Sequence, residues 1–109
     1  MSELSAEQLA RRAFDVNVLN EHQLNAVWGE FGTRNVSADD FRNALLRKEL
    51  LTNFQIEKLL RGDRGGYFYG DFKVLYLVGT GTFARVFRAV NVNTNRIVAL
   101  KVLRRRWSD

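Results

Sequence analysis

The residues of this chain best placed to do chemistry are two glycines and a lysine. Gly79-Thr80-Gly81 interrupts an apolar run, and Lys101 follows 22 residues after the first glycine. Glycines let a backbone approach a ligand closely and aim N–H groups at phosphate oxygens, and the lysine adds a positive charge. Together they offer a cradle for a phosphate-bearing ligand. Other candidates carry less. His22, the only histidine, sits in the first turn of a helix with no nucleophile near it in sequence, and reads as solvated or capping. Asp39-Asp40 open another helix, where acids complement the helix dipole, and are not read as metal ligands. No cysteine is present, so disulfides and thiolate metal sites are excluded, as suits a reducing compartment.

The charge divides the chain. Residues 1–71 hold nine Lys/Arg against eleven Asp/Glu, a net of −2. Residues 72–108 hold eight basic groups (Lys73, Arg85, Arg88, Arg96, Lys101, Arg104, Arg105 and Arg106) and no acid. A break this sharp predicts two units joined near Gly62–Asp71, with the basic one suited to an anionic partner. The acidic, polar start "MSELSAEQ" is unlike a secretory signal, and the longest apolar run, "VLYLV", is far short of a membrane helix. A cytoplasmic protein with no membrane contact by this chain is expected.

Residues 1–62 read as a helical unit. Four starts are signalled by "SAEQ" (Ser5), "NEHQ" (Asn20), "SADD" (Ser37) and "TNFQ" (Thr52). Each opens on a side chain able to accept a hydrogen bond from an unpaired backbone N–H. Ser5–Gln8 and Thr52–Gln55 fit the reciprocal capping box. Apolar residues then recur at helical spacing: Leu24, Val27, Trp28 and Phe31 in the second helix, Phe41, Ala44 and Leu45 in the third, Ile56, Leu59 and Leu60 in the fourth. Gly32 and Gly62 stand where helix-ending glycines belong. Nothing catalytic is visible here, and the unit reads as a packing or interaction module for a protein partner.

Residues 63–70 read as a linker, and the rest as strand, glycine loop, strand, Asn turn, strand. Val74 to Val78 is uniformly apolar, as in a strand buried on both faces. "TFARVFRAVNV" and "RIVALKVL" are rich in β-branched and aromatic residues, with "NTN" as the turn between them. The fold class expected is α+β: a four-helix unit, then a three-stranded antiparallel sheet.

Three readings compete for Gly79–Ala84. A dinucleotide fingerprint matches as a string, but a helix should follow the loop and an acid should stand about 20 residues on. Here a strand follows, and Lys101 occupies the place of the acid. A ligand-free hairpin accounts for the glycines and nothing more. The third is a resemblance: Val78-Gly79-x-Gly81-x-Phe83-Ala84-x-Val86 is similar to the glycine-rich loop of eukaryotic-type protein kinases, and Val98-Ala99-Leu100-Lys101 to their V-A-I-K strand, at the family's gap. Ala84 replaces the third glycine and Leu100 the isoleucine.

The resemblance covers residues 71–109 and implies the first three strands of a serine/threonine kinase N-lobe. It implies an ATP site in which Gly79, Thr80, Gly81, Thr82 and Ala84 form the phosphate loop. Phe83 is its tip, Val78, Val86 and Ala99 roof the adenine, and Lys101 contacts the α- and β-phosphates. The preceding "LLTNFQIEKLLRGDRGGYFYGDF" resembles, more loosely, helical segments ahead of bacterial kinase domains. "RRRWSD" resembles the run into the helix bearing the family's glutamate, with Ser108 or Asp109 as its cap. The H-R-D and D-F-G residues, which supply the base and the magnesium ligands, match nothing in the eight residues after Lys101. Apart from Lys101 no catalytic residue is assigned, no metal ligand is assigned, and this chain alone is expected to be inactive. The parent would act on a protein substrate with ATP and magnesium. The alternative is a non-catalytic interaction module whose basic hairpin binds an anionic surface. Arg104–Arg106 beside Trp107 hint at nucleic acid, but the cations are spread over three strands and no reader motif is formed.

Overall fold

The computed structural model describes residues 4–104. They form two compact units that divide between Gly65 and Gly66. The first holds helices α1 (Ala6–Asp15), α2 (Glu21–Phe31), α3 (Ala38–Arg47) and α4 (Asn53–Arg61). The second is an antiparallel meander, β1 (Phe68–Tyr69), β2 (Phe72–Thr80), β3 (Ala84–Asn91) and β4 (Ile97–Leu103), in that spatial order. The α+β class is as expected. The strand count is four rather than three, because part of the expected linker pairs as β1.

Helices of 9 to 11 residues are marginal in isolation, so their ends and buried faces must hold them. All four expected caps are in place: Ser5, Asn20, Ser37 and Thr52 accept from the N–H three residues on. Asn20 and Gln23 complete a third reciprocal box, whereas at Ser37 only the cap-to-backbone bond forms. Gly32 and Gly62 end α2 and α4 in the left-handed conformation. The ends of α1 and α3 are made without glycine. Asn17 (φ 67°) and Glu49 (φ 57°) take the left-handed position one residue past the cap. There Val18 N–H reaches Ala13 C=O at 3.1 Å, and Leu50 N–H reaches Leu45 C=O at 3.0 Å.

These matched ends expose an internal repeat. A shift of 32 positions lays Ser5 on Ser37, Leu9 on Phe41, Ala13 on Leu45, Asn17 on Glu49, Asn20 on Thr52, Leu24 on Ile56 and Val27 on Leu59, without a gap. Each copy is helix, left-handed turn, cap, helix. The apolar stripes meet between the copies, α1 packing on α3 and α4 and α2 on α3. Leu9, Phe41, Leu45, Ile56 and Leu59 are fully buried, each contributing about 1.5–3 kcal/mol. Trp28 stacks on Phe41 with ring centroids 4.6 Å apart. Leu60, expected on the inner face, is exposed, and Phe31 is half-buried. The C-terminal carbonyls of α4 are reached from α1: Arg12 Nη1 donates to Leu59 C=O at 2.8 Å.

In the sheet, β2 carries irregularities between Val74 and Tyr76 and between Leu77 and Gly79, which shift its register against β3. The strand is not buried on both faces as expected. Val74 is buried, but Tyr76, Leu77 and Val78 are exposed, since no helix covers them among the described residues of this unit. The buried face centres on Val74, Phe87 and Ala89, flanked by Tyr67 and by Tyr69, which stacks on Phe87. Among the described residues no helix is long and apolar enough to cross a membrane.

Two expectations follow for the helical unit. Glu49→Gly relieves a left-handed non-glycine residue and is expected to raise stability by about 0.5 kcal/mol, while Gly62→Ala, at φ 84°, lowers it by about 1 kcal/mol. Denaturant titration of both variants checks the pair. Glu30, bonded by Lys48 Nζ and Arg47 Nη2, has its pKa lowered by those bonds, Lys48 first. A depressed carboxylate stabilises the fold above its unfolded pKa, and that contribution is lost as pH falls through the folded value. Glu30→Gln is therefore expected to flatten slightly the fall in melting temperature below the usual carboxylate range, the effect being small at an exposed pair.

Candidate functional site: the glycine loop and Lys101

The loop is the β2–β3 hairpin end. β2 runs to Thr80, β3 begins at Ala84, and Gly81 N–H donates to Ala84 C=O at 2.8 Å, leaving Thr82-Phe83 as the tip. Phe83 projects there, 58% exposed. On the other side of β3, the turn Asn91–Asn95 fixes the start of β4. Asn91 Oδ1 accepts from Asn93 N–H at 2.8 Å and Thr94 N–H at 3.2 Å, and Asn95 turns left-handed.

That turn sets the register that matters. Val86 pairs with Lys101 and Arg88 with Ala99 across β3 and β4, while Gly79 pairs with Val86 across β2 and β3. Side chains alternate along strands, so Val86, Arg88, Ala99 and Lys101 share one face. A groove of about 380 Å³ opens there, lined by Gly79, Thr80, Gly81, Thr82, Phe83, Ala84, Val86 and Lys101. Eight of the ten residues expected at a site thus line one cavity. Ala99 lies on the same face two residues from Lys101 but outside the lining, and Val78 stands apart, 62% exposed at the irregularity in β2.

Neither loop glycine is required by the chain itself. Gly79 and Gly81 do not take positive φ. A Cβ at Gly79 would meet nothing within 4 Å, and one at Gly81 would meet only Ala84 C=O at 3.8 Å, an ordinary contact. What the glycines preserve is open space above the groove. Thr82 N–H has no hydrogen-bond partner among the described residues, so the tip keeps a donor for a ligand.

Arg104 is the residue that sequence reasoning did not assign to the loop. From the end of β4 its backbone N–H donates to Phe83 C=O at 2.8 Å, its Nε to Gly81 C=O at 2.8 Å and its Nη2 to Thr80 Oγ1 at 2.9 Å. Three bonds tie the loop to the strand that carries Lys101. No signal in the sequence separates Arg104 from the basic run it begins. Arg105, Arg106, Trp107, Ser108 and Asp109 lie outside the described residues.

The electrostatics are those of an anion site. Residues 72–104 contain no carboxylate, and Lys101 forms no ion pair among the described residues. Arg85 sits over the Phe87 ring, 5.5 Å from its centroid, a neutral partner that leaves its charge intact. Elsewhere, His22 is exposed on α2, and Asp39 and Asp40 occupy the first turn of α3. Among the described residues no group of three or more metal-ligating side chains converges. Comparison with protein-family models, with curated proteins and with solved structures finds no match for this chain.

Proposed function

We propose that residues 71–109 are the opening of a serine/threonine protein-kinase N-lobe whose glycine loop and Lys101 hold the phosphates of ATP. One observation supports this above the others: the loop and a lysine about 20 residues away line the same acid-free groove. The glycines, explained by neither φ nor crowding, fit a loop that must leave room for a ligand. On this reading Lys101 pairs with the α- and β-phosphates, Val86 and Ala99 lie under the base, Phe83 closes over the phosphates, and Arg104 holds the loop in place.

The hairpin holds no carboxylate to bind magnesium or to accept a hydroxyl proton, so its part is binding rather than transfer. In the parent, those groups and the protein substrate's site lie outside this hairpin. We place the protein in the cytoplasm, with the helical unit as a module for a protein partner. A second reading, a non-catalytic hairpin for an anionic surface, is favoured by the eight cations and no acid of residues 72–108.

An amide NMR titration separates the two. ADP is expected to bind with millimolar Kd, about 4 kcal/mol, and to outcompete adenosine, because the surviving contacts are to phosphate. Gly79, Gly81 and Lys101 are expected to shift. Lys101→Met should abolish the advantage of ADP over adenosine, and Arg104→Met should weaken ADP several-fold while speeding amide exchange at the tip, about 1 kcal/mol being lost with the latch. Arg96→Met, beyond the Asn turn, is expected to change little. If Gly79, Gly81 and Lys101 stay still while Arg85 and Arg96 shift with any polyanion, the second reading holds.

A further inference from the structure

The internal repeat identifies a groove that one copy fills and the other leaves open. In the second copy, Arg42 on α3 reaches across to α4, its Nη2 3.3 Å from Asn53 Oδ1 and 3.6 Å from Glu57 Oε2. An amide and a carboxylate four residues apart on one helix thus receive a guanidinium from the helix before. In the first copy the positions equivalent to Asn53 and Glu57 are Glu21 and Asn25, the same pair in reversed order. The position equivalent to Arg42 is Ala10. The receiving pair is retained and the plug is missing.

The space left behind is a groove of about 270 Å³ between α1 and α2, lined by Ala10, Phe14, Glu21, Leu24, Asn25 and Trp28, with Glu7, Arg11 and Arg34 completing it. Glu21 and Asn25 have no side-chain partner among the described residues. The two arginines do not supply the plug. Arg34 lies over the Trp28 ring, 5.4 Å from its centroid, and neither it nor Arg11 forms an ion pair among the described residues. Phe14 is 44% exposed, whereas its counterpart Leu46 is half-buried, so apolar surface is open beside the polar pair.

We propose that this groove binds a segment of a partner protein that presents an arginine flanked by aliphatic residues. The guanidinium takes the place that Arg42 fills in the second copy, donating to Glu21 and Asn25, and the flanking side chains pack on Phe14, Leu24 and Trp28. A planar, two-pronged cation suits an amide oxygen beside a carboxylate better than an ammonium does. The site lies wholly within the helical unit and does not depend on the reading of the glycine loop.

The test is an amide NMR titration of the full chain with the blocked peptide acetyl-Leu-Arg-Leu-Ala-amide and its analogue carrying neutral citrulline for arginine. Shifts are expected at Ala10, Glu21, Asn25 and the Trp28 indole N–H, with the citrulline peptide about tenfold weaker, as loss of a charge-assisted bond gives. Glu21→Gln should weaken the arginine peptide by a similar factor. Ala10→Arg, which rebuilds the plug, should abolish the shifts while the melting temperature holds or rises. Equal binding of the two peptides, undiminished binding to Ala10→Arg, shifts on other surfaces only, or no shift at about 10 mM peptide would each overturn the proposal. Should Ala10→Arg not fold, the citrulline and Glu21→Gln arms still decide it.

Discussion

The pairing of β3 with β4 is the constraint on which the candidate site depends. A strand's side chains alternate, so sliding β4 by one residue would carry Lys101 to the face that holds Phe87 and Ala89. The slip is opposed at both ends of the pair. At one end the Asn91 side chain gathers two N–H groups of the turn and Asn91 N–H donates to Arg96 C=O at 2.9 Å. At the other, Arg104 bonds the loop by backbone and guanidinium. Between them the buried Ala84, Phe87 and Ala89 reject a register that would expose them. The same bonds that fix the strands therefore place the loop over the lysine.

The helical unit meets a different constraint with one solution used twice. Short helices cannot rely on propensity, so each junction must satisfy the unpaired groups at a helix end and the next helix start within a few residues. The left-handed residue, an apolar residue and the cap do this at Asn17–Asn20 and again at Glu49–Thr52. Duplication carries the junction and the buried stripe along together. It leaves the surface between helices free to diverge, and there Ala10 and Arg42 part company.

Legibility in the sequence followed how local each cause was. The four caps and the glycine ends of α2 and α4 depend on a few adjacent residues and were readable as such. So was the Asn turn. β1 was missed although Gly70-Asp71 between aromatic residues is a hairpin signal, because the glycine-rich run before it read as linker. The irregularities in β2 were not readable. Five consecutive apolar residues look alike whether buried on both faces or shifted in register, and only the partner strand distinguishes them. Eight of the ten expected site residues fell together because the motif gap encodes the hairpin length. Arg104 did not, since its bonds cross 23 and 24 residues to atoms any loop possesses. The repeat escaped notice because few identical residues coincide; it is carried by burial and by backbone conformation.

The cations of the hairpin share a feature that bears on any partner. Arg104 is satisfied by a carbonyl and a hydroxyl, and Arg85 lies over an aromatic ring, so both are held by neutral groups. In the helical unit the pattern is opposite: Arg47 and Lys48 meet Glu30, and Lys58 and Arg61 meet Asp63. A salt bridge orders a side chain and cancels its field; a carbonyl or a ring orders it and leaves the field standing. The hairpin thus keeps its arginines in fixed places without neutralising them, at the cost of repulsion among like charges. Repulsion of that kind is relieved only by an anion from outside the hairpin. A ligand reaching the groove meets Lys101 unpaired, Arg104 braced behind the loop, and a glycine edge with no side chain in its path.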